Sequence, residues 1–493
     1  MPMQQGSNRC IFTGMVLMPL VLATGAGSVG AAEWTTRASV APAITYTDNV
    51  CLSQSNKQGD WIGTLTPSVG IQGKGRKASA QLAGSVQLNS LTNSALDSKG
   101  CGGNLDDREQ FNPRLRGRFS SELIDNWMKV DVNARADQNE VTSRAVGGDD
   151  DLNRTGNRNT YYRYSVSPVV NRRFKDWVAL SARYTWDEQF NSSDLLSDSH
   201  RHQFNMALRN AAPSKWSRRV EGRYTRVHYG ESFNGFTRED TELSSARVGL
   251  GYRFDRRWGI DGFYGREWNE FQSTLNGDRD GPGWGLNLKW TPSPRTAVTV
   301  GGGDRFFGNT PRVIIRHAHK RNQFRLNYEK RVTFQRDLRT EDLGGFDDNI
   351  NNASVFSNGP ILDERLAGGW TYKGRSSVLT INGNYSEQTR SEDGEKSLFK
   401  NVTATFSPQL STRYNVAASV AWREDEPRGR INELPEFADQ GDSEAWTFNF
   451  TVGRQYNNRI NLSLSYLFTD RQGETSFNDY QENRITATLG LAF

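Results

Sequence analysis

Long hydrophobic runs are the feature that this sequence most clearly lacks. After residue 32, no stretch approaches the roughly 20 consecutive apolar residues that a membrane-spanning helix needs. Apolar residues make up 35% of the 493 residues, and the mean hydropathy is −0.72. A helical membrane protein is therefore excluded.

Histidine is scarce as well, which limits the catalytic and metal chemistry available to the chain. Asp198, Ser199 and His200 form the most tempting catalytic group, but they lie at a loop–strand junction. Adjacent residues there alternate between faces, so they are poorly placed as a triad. We therefore expect no enzyme activity, no catalytic residues, no metal site and no cofactor. The five histidines are His200, His202, His228, His317 and His319.

Proline is limited to 15 residues, whereas glycine numbers 47 and aromatic residues reach 11%. Aromatic residues favour strands, and glycine favours turns. For so polar a chain, this composition is typical of a large β protein with many turns.

The first 32 residues have the pattern of a secretory signal peptide. Arg9 supplies a positive charge, residues 11–22 form a short apolar core, and Ala31 and Ala32 form a small-residue cleavage site. An N-terminal anchor helix is the alternative. We expect cleavage of residues 1–32, which leaves one domain over residues 33–493.

Two cysteines, Cys51 and Cys101, remain after that cleavage. A pair of cysteines in an exported protein favours a disulfide, with two free buried thiols as the alternative. Both residues lie in polar stretches rich in glycine and asparagine, which favours the bridge. We expect it to join the first two long loops.

Period-two alternation runs through the chain to its last residue. The ending "NRITATLGLAF" has apolar residues at every second position from Ile485 to Phe493. "NRINLSLSYLF" repeats the pattern from Ile460 to Phe468. Such runs cover about 10 to 16 residues, enough for a tilted strand to cross a membrane. A soluble β-sandwich or propeller is the alternative, but its strands are shorter.

Short and long connections alternate between these runs, as in outer-membrane barrels. Eleven long loops predict about 22 strands, within two, and put both termini on the same, periplasmic side. The predicted fold is all-β: a transmembrane antiparallel outer-membrane β-barrel with no plug domain, short periplasmic turns and long extracellular loops. The predicted long loops are residues 47–59, 89–109, 139–157, 190–198, 231–239, 272–279, 307–310, 333–362, 389–397, 425–442 and 471–477.

The terminal phenylalanine fits a closed barrel, because the last strand then pairs with the first and is not an edge. A final alternating strand that ends in phenylalanine also resembles the signal read by the barrel-assembly machinery of Gram-negative bacteria. We therefore expect that machinery, membrane lipid and lipopolysaccharide as partners, and no nucleic acid. The residues assigned to the signal are Tyr466, Phe468, Leu489, Leu491 and Phe493.

Alternation also predicts which side chains line the lumen. An Arg or Lys at mid-depth on the lipid face would cost about 2–4 kcal/mol, so we expect the strand cations to point inward. Two interpretations remain open: attraction of an acidic solute, or pairing with Asp131, Glu221, Asp261 and Glu267. The predicted lining residues are Arg114, Arg116, Arg118, Lys129, Arg135, Arg163, Arg183, Arg209, Arg219, Arg223, Arg247, Arg253 and Arg325.

Several short strings carry a family resemblance along the mature chain. They include "TYTDNVCLS" (45–53), "WIGTLTPSVGIQGKG" (61–75), "YSVSPVV" (164–170), "TFSPQLS" (405–411) and "LKWTPSPRTAVTVGGGDRFFGNT" (288–310). Together they resemble the outer-membrane β-barrel family associated with exosortase (PEP-CTERM) systems, a branch of the β-barrel porins. The resemblance implies a setting in exopolysaccharide export or surface assembly. It supplies no catalytic residues.

The leading functional hypothesis is a porin-like conduit for exopolysaccharide export. Its partners would be polysaccharide-export components and an anionic polysaccharide. The alternative is a non-conducting structural or adhesive barrel that presents its loops. A TonB-dependent transporter would also have 22 strands, but it carries an N-terminal plug, whereas strands begin here near residue 34. We therefore expect the chain to differ from that class.

Overall fold

The computed structural model describes residues 33–93, 101, 111–141, 146–147, 152–153, 155, 157–193, 196–230, 240–273, 279–338, 357, 359–391, 394–426, 441–474 and 478–493. The predicted signal peptide lies outside these ranges. In the part of the chain they cover, no helix is both long and apolar enough to span a membrane.

One antiparallel sheet of 23 strands forms the molecule. Strand β14 has two residues at the tip of a hairpin, and the other 22 strands form the wall, which is the predicted number. The strands are β1 Glu33–Thr47, β2 Asp60–Lys74, β3 Ala78–Leu91, β4 Phe111–Ile124, β5 Met128–Glu140, β6 Arg158–Phe174, β7 Val178–Asn191, β8 Ser199–Arg209, β9 Trp216–Tyr229, β10 Thr241–Arg253, β11 Trp258–Glu270, β12 Gly281–Ser293, β13 Thr296–Arg305, β14 Gly308–Asn309, β15 Arg312–His319, β16 Asn322–Phe334, β17 Pro360–Lys373, β18 Ser377–Arg390, β19 Lys396–Pro408, β20 Tyr414–Glu426, β21 Ser443–Gln455, β22 Ile460–Gly473 and β23 Tyr480–Ala492.

The sheet closes because the last strand pairs with the first. β23 runs antiparallel to β1, with Ala492 opposite Ser39 and Arg484 opposite Thr47. The amide of Phe493 then donates a hydrogen bond to the carbonyl of Ala38 at 2.9 Å. Every wall strand therefore has two neighbours, and the sheet has no free edge for another chain to extend.

The connections differ in length between the two ends of the barrel. Ten short connections, of which residues 294–295 and 320–321 are the briefest, lie at one end, here called the turn end. Eleven others, up to the stretch 335–359, lie at the other end, here called the loop end. Both described termini lie on the side of the turn end, since the wall has an even number of strands.

Successive side chains alternate between lipid and lumen, as the pleat requires. On β22, Leu464 is 55% exposed on the outer face, whereas its neighbours Ser463 and Ser465 point inward. Exposed tryptophans form a girdle at each end, for example Trp216 at the turn end and Trp61 at the loop end.

The sequence pattern predicts an outer girdle of Trp61, Trp370 and Trp446 near the loop end, and one of these predictions is wrong. Trp370 would be expected near the loop end, but it lies close to the last residue of β17, Lys373, and therefore at the turn end. It stacks there on Phe324 of β16, with ring centroids 6.2 Å apart. Alternation determines which face a side chain occupies, whereas its depth depends on where the strand ends.

The lipid-facing assignment predicts a position-specific cost. Leu464→Lys is expected to lower the free energy of unfolding by about 2 kcal/mol, between the mid-depth and interface values for a lysine in lipid. Ser463→Lys is the matched control, because it places the same charge one residue away in the lumen, at little cost. Urea unfolding of the two refolded variants in lipid vesicles measures the difference. An equal loss of unfolding free energy in the two variants would contradict the assignment of Leu464 to the lipid face and Ser463 to the lumen.

Candidate functional site: the lumen and its mouth

The predicted lumen cations lie on the wall strands β4 to β10 and on β16. Each of the thirteen predicted lining residues lies in one of these strands, in register with other inward-facing residues. Arg325, for example, follows the exposed outward ring of Phe324 and lies opposite Arg316 of β15.

Carboxylates neutralise part of this set. Asp131 contacts Lys129 at 3.1 Å and Arg183 at 2.7 Å, and it also accepts a hydrogen bond from Ser120. Both cations remain 40% exposed, so these pairs border open lumen. The other acids pair similarly: Glu221 with Arg219 (3.3 Å) and Arg223 (3.8 Å), Asp261 with Lys289 (2.6 Å), Glu267 with Arg247 and Arg305 (2.8 Å), and Asp137 with Arg135 (3.3 Å), Arg114 (3.8 Å) and Arg116 (3.9 Å).

Other lumen cations lack such compensation. Among the described residues, Arg118, Arg209, Arg253, Arg316 and Arg325 form no ion pair with a carboxylate. Arg316 lies directly opposite Arg325, an arrangement in which like charges repel. Water or a mobile anion must therefore screen these guanidinium groups.

The opposite part of the wall is polar but uncharged between its rims. The inward side chains of β18 to β23 are mostly amides and hydroxyls at mid-depth, such as Asn382, Thr403, Asn449 and Thr488. The lumen is thus electropositive on one side and neutral on the other.

Glycines on the inner face keep bulky lumen side chains flat against the wall. A Cβ atom at Gly285 would overlap the ring of Phe263, and one at Gly301 would overlap the amide of Asn287. Both glycines therefore make room for a neighbour that would otherwise project into the lumen.

The lumen at the loop end, here called the mouth, is crossed by the chain that follows β16. Helix α1, Gln335–Leu338, continues directly from that strand. On one side Phe334 packs against Val227 and Tyr229 of β9. On the other, Leu338 packs against Ile361 of β17 and Phe399 of β19. Residues 334–338 therefore touch two opposite stretches of wall.

A buried ion cluster attaches this segment to the wall. Asp187 of β7, with 3% of its side chain exposed, contacts Arg163 at 2.7 Å and Arg201 at 3.4 Å, and pairs with Arg336 of α1. Asp337 contacts Arg163 at 3.1 Å and Arg201 at 2.7 Å. Two carboxylates thus alternate with three guanidinium groups.

The charge states of the α1 residues follow from this cluster. Burial alone would raise the pKa of Asp337, but the guanidinium groups of Arg201 and Arg163 outweigh it and hold the pKa below its usual value. Burial lowers the pKa of Arg336 to about 10. Both residues are therefore charged at neutral pH.

A second crossing comes from the connection between β5 and β6. Asn153 donates to Glu482 at 3.1 Å and accepts from Arg484 at 2.7 Å, both on β23. At the end of β5, Glu140 contacts Arg423 of β20 at 3.6 Å across the lumen. The described residues therefore bridge the mouth at two places.

The disulfide Cys51–Cys101 lies beside this second crossing. Its sulfurs join the β1–β2 connection to the β3–β4 connection, 50 residues apart. Both cysteines pack against a buried cluster of Val50, Ile62, Leu91 and Leu152. The bridge therefore ties two loops over the mouth.

The residues assigned to the assembly signal lie on the outer face next to the closure. Tyr466 donates to the side chain of Asn483 on β23 at 2.8 Å. Leu489 is 37% exposed and Phe493 is 78% exposed. Phe468 and Leu491 lie on the same face of β22 and β23.

Sequence reasoning missed most of the mouth cluster. Asp187 and Arg201 could have been found by extending the alternation that assigns Arg183 and Arg209 inward. Arg336 and Asp337 carry no such signal, because they follow the last strand residue and the pleat no longer fixes their direction. Among the described residues, no group of three or more His, Cys, Asp or Glu could hold a metal ion.

Comparison with known proteins places the wall among large receptors. No protein-family model and no curated protein matches the sequence. The siderophore receptor PirA of Acinetobacter baumannii is 9% identical, with a TM-score of 0.52 over 93% of this chain and 81% of that one. A mutant of the ferric enterobactin receptor PfeA of Pseudomonas aeruginosa is 10% identical, with a TM-score of 0.52 over 95% and 81%. The FrpB iron transporter of Neisseria meningitidis is 8% identical, with a TM-score of 0.51 over 93% and 82%.

At these identities the likeness shows the fold alone. The chain has the fold of a large outer-membrane β-barrel, and its wall resembles that of siderophore and iron receptors.

One part of the predicted fold is wrong. We expected a barrel with no plug domain, distinct from TonB-dependent transporters, but the matched structures are TonB-dependent receptors, which have a plug domain. The expectation rested on how early the strands begin. That position does not identify the class, because barrels of 22 strands are wide and the known transporters of this size have a plugged lumen.

Proposed function

We propose that this protein is a gated outer-membrane conduit for an acidic solute, and that the solute is an exopolysaccharide on its way to the cell surface. The observation that supports this proposal is the electropositive side of the lumen. Arg209, Arg253, Arg316 and Arg325 form no ion pair with a described carboxylate. Fixed cations along a water-filled wall raise the local concentration of anions and favour their passage.

The other half of the lumen suits the same solute. Amides and hydroxyls such as Asn382 and Thr403 can exchange hydrogen bonds with sugar hydroxyl groups without holding them by charge. A polymer that carries both acidic groups and hydroxyls would meet a complementary surface on each side. The family resemblance of the strings at 61–75 and 288–310 supports the link to exopolysaccharide systems.

The proposal includes an orientation and partners. The turn end and both termini would face the periplasm, where polysaccharide-export components could deliver the polymer. The loop end would face outward among lipopolysaccharide. Assembly would depend on the barrel-assembly machinery through the terminal strand and Phe493.

Ion selectivity tests the conduit. The refolded barrel is measured in planar bilayers under a salt gradient, oxidised and after reduction of the disulfide. We expect anion-selective conductance, with the ratio of anion to cation permeability falling severalfold when Arg209, Arg253, Arg316 and Arg325 are all replaced by glutamine. Fewer fixed cations leave less attraction for anions.

A matched variant controls for lumen shape. It replaces Thr380, Thr403, Thr451 and Thr488 on the uncharged side by glutamine, which adds bulk without changing charge. Its selectivity should equal that of the parent protein. A parent barrel that conducts without anion preference would contradict the proposal.

A non-conducting barrel that presents its loops is the second candidate. The observation in its favour is the bridged mouth, where α1 reaches opposite stretches of wall and Asn153 reaches β23. This second candidate predicts a barrel with no measurable conductance, whether the disulfide is oxidised or reduced. That outcome would favour the non-conducting barrel over the conduit.

A further inference from the structure

The contacts of Asp337 resemble those of a bound ligand. Its two carboxylate oxygens bind different arginines, Oδ1 to Arg163 at 3.1 Å and Oδ2 to Arg201 at 2.7 Å. The arginines belong to β6 and β8, whereas Asp337 reaches them from the connection after β16. A carboxylate from one part of the chain thus occupies a two-arginine site on another.

The two arginines do not depend on Asp337 for their position. Asp187, between them on β7, holds Arg163 at 2.7 Å and Arg201 at 3.4 Å from the wall side. Their side chains are only 17% and 11% exposed. Asp187 carries a single negative charge, and Asp337 adds a second one to the same two arginines from the lumen side.

The site also lies at the top of a cationic path. Below Arg201, the inward face of β8 continues to Arg209, about 26 Å further along at about 3.3 Å per residue. Arg183, Arg219 and Arg223 lie on the neighbouring strands β7 and β9 along the same path. An acidic polymer that moved along these groups would reach the Arg163–Arg201 pair last before the mouth.

We propose that Arg163 and Arg201 form a carboxylate-binding subsite for a uronic-acid unit of an acidic polysaccharide, and that Asp337 occupies it while the mouth is closed. This inference rests on the proposed conduit and specifies its solute as carboxylated. An incoming carboxylate replaces that of Asp337 without leaving either arginine unpaired. Loss of those two contacts removes part of what holds α1 across the lumen.

The test is binding of oligogalacturonate, an acidic hexuronate oligomer, to the refolded full-length protein, with neutral maltohexaose as the comparison ligand. Asp337→Asn keeps the size of the side chain but removes the competing charge. We expect it to bind oligogalacturonate about tenfold more tightly than the parent, equivalent to a competing contact of about 1.4 kcal/mol. Binding of maltohexaose should not change.

Two further variants make the test specific. Asp363→Asn is the matched control, because Asp363 is a fully buried carboxylate of β17 held by Arg365 at 3.3 Å and Arg331 at 3.5 Å rather than by Arg163 and Arg201. It should not alter oligogalacturonate affinity. Arg201→Gln combined with Asp337→Asn should abolish the gain, and Arg201→Lys in the same background should restore part of it. The mobility shift of folded barrels on unheated gels verifies folding of each variant.

Each outcome bears on one of the two proposals. Equal affinity of the parent and Asp337→Asn, or an equal gain for maltohexaose, would overturn the subsite. If the parent barrel shows anion-selective conductance but Asp337→Asn does not change oligogalacturonate affinity, the conduit is supported and the subsite is wrong. A tenfold gain in a barrel that never conducts would support the subsite while contradicting the conduit, since binding is measured without transport.

Discussion

Asp187→Ala is expected to destabilise the closed mouth by about 3–5 kcal/mol, the cost of removing one partner from a buried ion pair. Its carboxylate contacts three guanidinium groups, those of Arg163, Arg201 and Arg336, and only 3% of the side chain is exposed. Without it, three guanidinium groups at the mouth would each lose a carboxylate partner. The segment at 334–338 should then leave the wall, and the oxidised barrel should conduct.

Two measurements check this expectation: urea unfolding in lipid vesicles and single-channel conductance without reductant. Asp131→Ala is the control, because Asp131 also lies between two cations of the lumen wall but borders open solvent, with Lys129 and Arg183 each 40% exposed. Loss of the Asp131 carboxylate should lower the free energy of unfolding by about 0–1 kcal/mol, as for exposed ion pairs. If the two variants behave alike, the cluster at Asp187 does not hold the mouth closed.

Loss of the Cys51–Cys101 bridge has the second-largest expected effect. Cys101→Ser should lower the free energy of unfolding by about 2–4 kcal/mol, because the bridge closes a long loop that contains β2 and β3. In the folded barrel it should also loosen the buried cluster around Val50 and Leu152. The mouth would then lose support on the side opposite α1.

Unfolding of Cys101→Ser is compared with that of the reduced parent protein, which lacks the same bond without a sequence change. The two should coincide within error. Conductance of the variant should match that of the reduced parent and exceed that of the oxidised parent. If the variant resembles the oxidised parent in both measurements, the bridge neither stabilises the barrel nor restricts the mouth.

The wall could be predicted because the lipid and the pleat impose a strict local rule. Every second residue of each strand must be apolar, so β22 and β23 are evident from Leu462, Leu464, Leu489 and Leu491 alone. The same rule, carried through the cationic strands, assigns Arg183 and Arg209 to the lumen. Even the closure follows, because a strand that ends on Phe493 cannot be left as an edge in lipid.

The alternation rule could not predict the depth of a side chain along the barrel axis or the class of barrel. Trp370 was assigned to the wrong end because alternation gives only its face, whereas its depth follows from the short turn after Lys373. The absence of a plug was inferred from the position of the first strand, whereas the matched receptors share the wall and have a plug domain.

The sequence by itself determined the strands, their number, their two faces and the cationic side of the lumen, because each depends on residues close together in the chain. Only the tertiary structure decided that Arg336 and Asp337 meet Asp187, Arg163 and Arg201 across the mouth. Those contacts join residues between 136 and 174 positions apart. No periodic pattern encodes them, because they depend on how a connection outside the wall folds back once the barrel has closed.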